Sequence, residues 1–287
     1  MTKAIALADG SVFLPKRALE SHKGDYGKLL ILGGCVGYTG APSMCAGAAL
    51  RSGAGLVYLG VPAPIYDITA MKNEEAMPFP LPADANGRFS ADAIAQLEER
   101  LSACDVCAVG PGMGKGAGCA ALLRYLVQRF DRPLVIDADG LNMLAGLMEL
   151  LKARCAPTVQ TPHDGEFARL GGTLSGDRVG DALHYAREWN SILVLKGHRT
   201  IVAYPTGEVY ITTHGNPGMA KGGSGDVRTG VIAAMLCQLP VETAVGTAVY
   251  LQSLAGDLAC AEKGEYAMLA TDIIAHLAYA TKKIIKE

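Results

Sequence analysis

The stretch Asn216-Pro217-Gly218-Met219-Ala220-Lys221-Gly222-Gly223-Ser224-Gly225-Asp226 runs directly into an apolar segment over 227–238 that predicts a helix. Glycines ahead of a helix leave backbone N–H groups free to converge on an anion, and the helix dipole adds positive potential at that end. Gly222, Gly223, Ser224 and Gly225 are therefore candidates for an anion hole suited to phosphate. Asp226 opens the helix, where a carboxylate either caps the first turn or acts as a base toward a substrate hydroxyl. The plainer alternative, a simple N-cap after a tight turn, stays open on these residues alone. A Walker loop is excluded because no Gly-Lys-Ser/Thr stands at the required spacing, and the G-x-G-x-x stretch from Gly110 to Gly114 closes with Lys115 in place of glycine.

Such a turn needs a scaffold. Lys28–Leu32, 56–61, Val106–Val109, Leu134–Ile136 and Ile192–Leu195 are apolar on consecutive positions, the pattern of strands buried on both faces. Between them, 91–101, 117–130 and 181–189 are Ala- and Leu-rich at helical period. Strand then helix, repeated, predicts an α/β fold with a central, mainly parallel sheet covered by helices on both faces. Most of these strands end in glycine-bearing loops (Gly33-Gly34, Gly60, Gly110-Pro111-Gly112, Asp137-Ala138-Asp139-Gly140 and Lys196-Gly197), and ligands of open α/β sheets bind beyond the carboxyl ends of strands. Residues 204–213 predict a hairpin at a sheet edge, with Pro205-Thr206-Gly207 as its turn. The proline-punctuated stretch 62–82 yields no conformation.

Composition narrows the class. With 287 residues, 50% of them hydrophobic, the chain supports one large core, and a single domain over 1–287 is expected. A formal net charge of −2 offers no field to attract nucleic acid. No apolar stretch approaches the ~20 residues of a membrane-spanning helix. The N-terminal segment from Met1 to Asp9 carries charge too early for a secretory core and is expected to be mature protein. The 8 cysteines lack the spacing of a disulfide framework, which fits a reducing cytoplasm. Cys104 and Cys107 form a C-x-x-C inside an apolar segment without a second pair, so buried thiols are expected there.

At Gly222-Gly223-Ser224-Gly225-Asp226 the chain resembles ribokinase-like enzymes and, more narrowly, the ADP- or ATP-dependent NAD(P)H-hydrate dehydratases. The narrower resemblance rests on blocks along nearly the whole chain, notably the segment from His22 to Gly34, Tyr38-Thr39-Gly40-Ala41-Pro42, the segment from Ala48 to Val57, Asp137-Ala138-Asp139-Gly140-Leu141-Asn142, Thr161-Pro162-His163-Asp164-Gly165-Glu166 and Lys196-Gly197-His198-Arg199-Thr200. It implies repair of hydrated NADH and NADPH (NADHX and NADPHX) at the expense of ADP or ATP, with Asp226 as the base on the hydrate hydroxyl and Gly222 to Gly225 holding the phosphate in transfer. It further implies that Lys196, Gly197, His198, Arg199 and Thr200 bind the nucleotide together with Gly225, and that Ala41, Gly112 and His163 line the hydrated-nicotinamide site.

Glu166 and Asp139 are candidates for holding Mg2+ through water, with Asn142 a similar case. Lys221 stands where a small hydroxyl residue is frequent and is expected to add a phosphate contact. Asp164 replaces a frequent proline. Arg228 stands where an aliphatic residue is usual and is expected to face a subunit boundary. The family's tendency to form tetramers, with an apolar helix over 241–258 available as an interface, implies a homo-oligomer. The His22 block begins too early to leave room for a preceding epimerase domain, so the epimerase is expected to be a separate protein. The competing readings are a ribokinase-like kinase acting on a thiazole or pyrimidine alcohol, and a nucleotide sensor without turnover.

Overall fold

The computed structural model of the chain describes residues 4–285. Met1-Thr2-Lys3 of the expected mature N-terminus, and the last two residues of the domain expected over 1–287, lie outside the described residues.

Ten strands form one sheet: β1 (Ile5–Leu7), β2 (Lys28–Leu32), β3 (Leu56–Pro62), β4 (Met77–Leu81), β5 (Val106–Val109), β6 (Leu134–Ile136), β7 (Thr158–Gln160), β8 (Ile192–Leu195), β9 (Ile201–Ala203) and β10 (Val209–Thr212). Their spatial order is β1-β10-β9-β8-β7-β6-β5-β2-β3-β4, and β9 alone runs antiparallel to its neighbours. The helices are α1 (Gly40–Arg51), α2 (Tyr66–Lys72), α3 (Glu98–Ala103), α4 (Ala117–Arg129), α5 (Asp139–Leu144), α6 (Met148–Lys152), α7 (Asp164–Arg169), α8 (Arg178–Glu188), α9 (Ser224–Leu236), α10 (Val241–Ala267) and α11 (Ala270–Ile284).

Consecutive apolar residues build two cores because successive side chains of a strand point to opposite faces. Leu29 and Ile31 of β2 join the core under α1, α9, α10 and α11. Leu30 and Leu32 join the core on the other face, with α4, α5, α6 and α8. The predicted parallel sheet with helices on both faces is therefore present, and its register has a direct consequence for chemistry. Leu32 pairs with Val109, Val109 with Ile136, and Ile136 with Gln160, so Gly33, Gly110, Asp137 and Thr161 emerge side by side at one end of the sheet.

Several local expectations need correction. The proline-rich stretch 62–82 contains α2 and the strand β4, which pairs only with β3 at the sheet edge. An edge strand needs donors on one side only, so it tolerates Pro78 and Pro80. The hairpin over 204–213 forms, but β1 covers β10 and takes the edge position. Residues 91–101 divide into a 3-10 stretch, Ala91–Gln96, and α3, although Ala93, Leu97 and Leu101 still bury their side chains at a spacing of four. Helix α8 begins before 181, where Asp177 accepts the Gly180 N–H at 3.0 Å. Finally, α10 is not a spare interface: residues Ala244 to Gly256 are buried within the chain, and the helix packs between α9 and α11.

Candidate active site

The end of β6 is the electrostatic centre of the site. Asp137 is buried, and its carboxylate accepts hydrogen bonds from Lys196 Nζ at 2.7 Å and from Thr229 Oγ1 at 2.6 Å. Burial opposes its ionisation, but the Lys196 charge and these bonds hold Asp137 below the usual carboxylate range. Lys196 Nζ also lies 3.7 Å from Glu166 Oε2. The next residue, Ala138, has φ 50° and ψ −120°, a left-handed conformation unusual for a residue with a Cβ. Backbone strain at a strand end, beside a buried ion pair, is the kind of feature that surrounding structure maintains for a site. Asp139 follows, and its Oδ2 accepts the Gly114 N–H at 2.9 Å, fastening the Gly110 loop to the end of β6.

The glycine turn does what its residue types allow. Gly223 caps α9 in the left-handed region with φ 97°, and a Cβ there would lie 2.7 Å from Met44 Sδ and 2.8 Å from Ala270 Cβ. No side chain caps this helix end, and the Val227 N–H is the one that returns to Gly223 O, at 3.0 Å. The Ser224 N–H reaches Lys221 O at 3.4 Å, and the Gly225 and Asp226 N–H groups stay available for a ligand. Gly222 meets nothing within 4 Å of an added Cβ, so packing does not explain it. The Ser224 hydroxyl is buried without a hydrogen-bond partner among the described residues. Unsatisfied buried polar groups of this kind mark a place for a ligand or water.

Asp226 is partly buried on the first turn of α9, with no hydrogen bond among the described residues to explain it as a cap. Burial, and then the Asp137 carboxylate, push it up to about 7 against the pull of Lys196, with Asp139 adding to the rise. Its field also reaches the buried Cys45 thiol on α1. A carboxyl that exchanges its proton near neutral pH is matched to general-base work.

A cavity of about 800 Å³ opens in front of the turn. Its lining includes the predicted nucleotide segment Lys196, Gly197, His198, Arg199 and Thr200, the cradle residues Gly222, Ser224 and Gly225, and His163. It therefore joins the expected nucleotide segment to three of the four cradle residues and to His163. His163 is exposed and does two things: its Nδ1 accepts the Gly165 and Glu166 N–H groups at 3.0 and 3.3 Å as the cap of α7, while the ring faces this cavity. Glu166 completes the capping box, accepting the His163 N–H at 3.0 Å. Asp164 bonds Arg178, whose guanidinium also donates to Lys196 O at 3.0 Å.

Ala41 and Gly112 lie apart from that cavity but touch one another. A Cβ on Gly112, which has φ 60°, would stand 3.0 Å from Ala41 Cβ. Asp226 falls between the two groups, sensing Lys196 on one side and Asp139, bonded to the Gly112 loop, on the other. Gly223 and Asp226 are likewise absent from the cavity lining.

Two expectations fail. Lys221 lines the cavity, but its Nζ donates to Tyr266 O at 2.6 Å and Met268 O at 2.7 Å. Carbonyls at the end of α10 attract a cation as a phosphate would, and they are within reach. Arg228 faces the cavity and not a subunit boundary, donating from Nη1 to Thr200 Oγ1 at 3.1 Å and from Nε and Nη2 to Gln252 Oε1 at 3.2 and 3.0 Å. The site also contains residues that sequence reasoning passed over. Asp137 had a visible signal, an acid directly after a buried strand. His214, held at 2.8 Å by both Asp257 and Asp9, had none, because those partners are 43 and 205 residues away in the chain.

Among the described residues no group of three His, Cys, Asp or Glu converges as a metal site. Glu166 and Asp139 are already engaged by N–H groups, and Asn142 donates weakly to Ala138 O and Asp139 Oδ1, both at 3.4 Å. The donor set therefore does not fit a resident, directly coordinated ion. It fits a hydrated magnesium carried on nucleotide phosphates and touched through water, since Mg2+ keeps much of its hydration.

The family model for NAD(P)H-hydrate dehydratase matches residues 29–278. The chain belongs to this family. A bifunctional NAD(P)H-hydrate repair enzyme from Moorella thermoacetica is 45% identical over 279 residues, covering 96% of this chain and 53% of that protein. The chain thus spans about half the length of the first curated relatives it matches. An ADP-dependent (S)-NAD(P)H-hydrate dehydratase from Neisseria meningitidis is 35% identical, covering 84% of this chain and 80% of that one. Among solved structures, an ADP/ATP-dependent NAD(P)H-hydrate dehydratase from Bacillus subtilis, co-crystallised with ATP and Mg2+, superposes with a TM-score of 0.80 at 29% identity over 95% of both chains.

Proposed function

We propose that this chain is an ADP-dependent (S)-NAD(P)H-hydrate dehydratase, restoring NADHX and NADPHX to NADH and NADPH while converting ADP to AMP and phosphate. The observation that carries this is the shared cavity of about 800 Å³ joining the Lys196–Thr200 turn to the glycine cradle, with Asp226 at the head of the same helix. Asp226 takes the proton of the hydrate hydroxyl as that oxygen attacks the terminal phosphorus of ADP, and the bond to AMP breaks. Phosphate then leaves the ester with the C–O electron pair, the adjacent ring carbon gives up a proton to water, and the double bond returns. Phosphoryl transfer asks mainly for positioning and charge neutralisation, which uncapped N–H groups and a cationic cavity supply.

Ala41 and Gly112 would line the nicotinamide site, where their close approach to one another requires a small residue and a glycine at φ 60°. His163 would meet the substrates through Nε2, as its Nδ1 is spent on the α7 cap. Magnesium would neutralise phosphate charge, with Glu166 and Asp139 reaching it through water. ATP would occupy the same cradle as ADP. Homotetramer formation is supported by the exposed Tyr266 and Leu269 at the junction of α10 and α11 and the exposed Tyr279 on α11. A cytoplasmic location is supported by eight free cysteines, five of them buried, and no described helix is long and apolar enough to cross a membrane.

The decisive assay supplies NADHX with ADP or ATP and Mg2+ and follows the absorbance of NADH. Its return, faster with ADP, is the expected outcome. No return, with a phosphorylated alcohol accumulating from a thiazole or pyrimidine substrate, would make the chain a small-molecule kinase of the same fold. Nucleotide binding without any turnover would leave a sensor.

A further inference from the structure

The cavity lining contains four Lys or Arg residues, Lys196, Arg199, Lys221 and Arg228, and no Asp or Glu. These cations are not equivalent. Lys196 is bonded to Asp137 at 2.7 Å, and Lys221 to two carbonyls. Arg199 is exposed, so water already solvates it and a contact there gains little. Arg228 differs from all three. It is half-buried in the cavity wall, where loss of water brings its guanidinium down to about 10, and its acceptors, Thr200 Oγ1 and Gln252 Oε1, are neutral. Asp137 is the acid whose field reaches it, but that carboxylate is already bonded to Lys196 and Thr229. Among the described residues Arg228 has no ion pair, and the three bonds it makes leave two of the five guanidinium N–H groups without an acceptor. A ligand that fills the cavity would cover this half-buried charge, and a covered charge is normally paired, so the counter-ion missing from the protein is expected from that ligand.

Location says which anion. Arg228 is four residues after Ser224, one turn down α9 from the cradle and on the same face. Its partner Gln252 donates from Nε2 to Ser224 O at 3.4 Å, and its partner Thr200 closes the turn that begins at Lys196. It sits between the place for the transferred phosphate and the nucleotide segment. We propose that Arg228 is a specificity-determining residue that binds the phosphate remaining with the departing nucleoside monophosphate, selecting phosphorylated nucleotides over nucleosides. This rests on the proposed nucleotide-dependent activity. A planar guanidinium with two free N–H groups suits a phosphate better than a lone ammonium does.

The test is calorimetric binding of adenosine, AMP and ADP to the full chain and to R228M and R228K. R228M should weaken AMP and ADP by about tenfold or more and leave adenosine unchanged, in line with a charge-assisted bond of ~1.5–3 kcal/mol. R228K should recover part of the loss. Should R228M lose cooperative unfolding, R228Q against R228K makes the same comparison of neutral with charged. Equal weakening of adenosine, AMP and ADP would overturn the proposal, leaving Arg228 only as a brace between Thr200 and Gln252. So would unchanged AMP affinity in R228M while the native chain binds AMP. A native chain that binds no adenine nucleotide would overturn the proposed function itself, and this assignment with it.

Discussion

At the scale of single residues, Asp226 and the Lys196–Asp137 pair carry opposite electrostatic strategies. Asp226 is desolvated with no cation bonded to it and is pushed up to about 7, so the base form appears as pH rises through neutrality. Turnover should increase across that range and level off above it, and D226N should lose ~10²–10⁴ of the rate while still binding nucleotide. Rates at pH 6 to 9 for both proteins check this. The same shift has a stability consequence of definite sign. Unfolded Asp226 ionises near its ordinary value of 3.8, while folded Asp226 holds its proton to about 7. The folded state therefore loses stability from this group as pH rises between those values. The Tm of D226N should exceed the native Tm by a margin that widens with pH up to about 7 and is constant beyond. Asp137 behaves in the reverse manner, because a cation stabilises its ionised form. K196M leaves a buried charge unpaired and should cost ~3–5 kcal/mol in urea unfolding, most of which the double variant K196M/D137N recovers.

At the scale of elements, glycines of α9 and its cap separate packing from ligand binding. A Cβ on Gly230 would lie 2.1 Å from Cys45 O, where α1 and α9 cross closely, so G230A should destabilise the fold by ~1–3 kcal/mol. Gly222 has open space around it. G222A should change stability by less than about 0.5 kcal/mol yet impair ADP binding and turnover, because the methyl group enters the space required by the phosphate. Denaturant midpoints beside ADP titrations distinguish the two effects. The contrast also explains what the motif conveyed. The order of glycines before an apolar run marked a candidate anion hole at a helix start, but it did not distinguish Gly223, needed for φ 97° and its contact with Met44, from Gly222.

At the scale of the whole molecule, the sheet register gathers loops from strands far apart in sequence, and a ligand bridging those loops should couple them. ADP at a hundredfold excess over its Kd should stabilise the native fold by about 2.7 kcal/mol, visible as a rise in Tm of several degrees. Assembly is testable at the same scale. Light scattering after gel filtration should give about four times 29.9 kDa, and Y266E/Y279E should shift that mass down without removing ADP binding. A native monomer would remove the tetramer from the proposal.

The sequence by itself determined the buried strands, the helices between them, the glycine cradle and the family, because apolar periodicity and local turn chemistry are properties of neighbouring residues. It could not determine which strands lie adjacent, so the edge position of β1 and the tolerance of Pro78 and Pro80 in β4 emerged only with the sheet. Nor could it allocate charges. Lys221 turned to the carbonyls of α10, Lys196 to Asp137, and Arg228 inward to Thr200 and Gln252. Each choice depends on which partner the folded chain brings within about 3 Å and how much water it excludes there, and those are facts of tertiary packing.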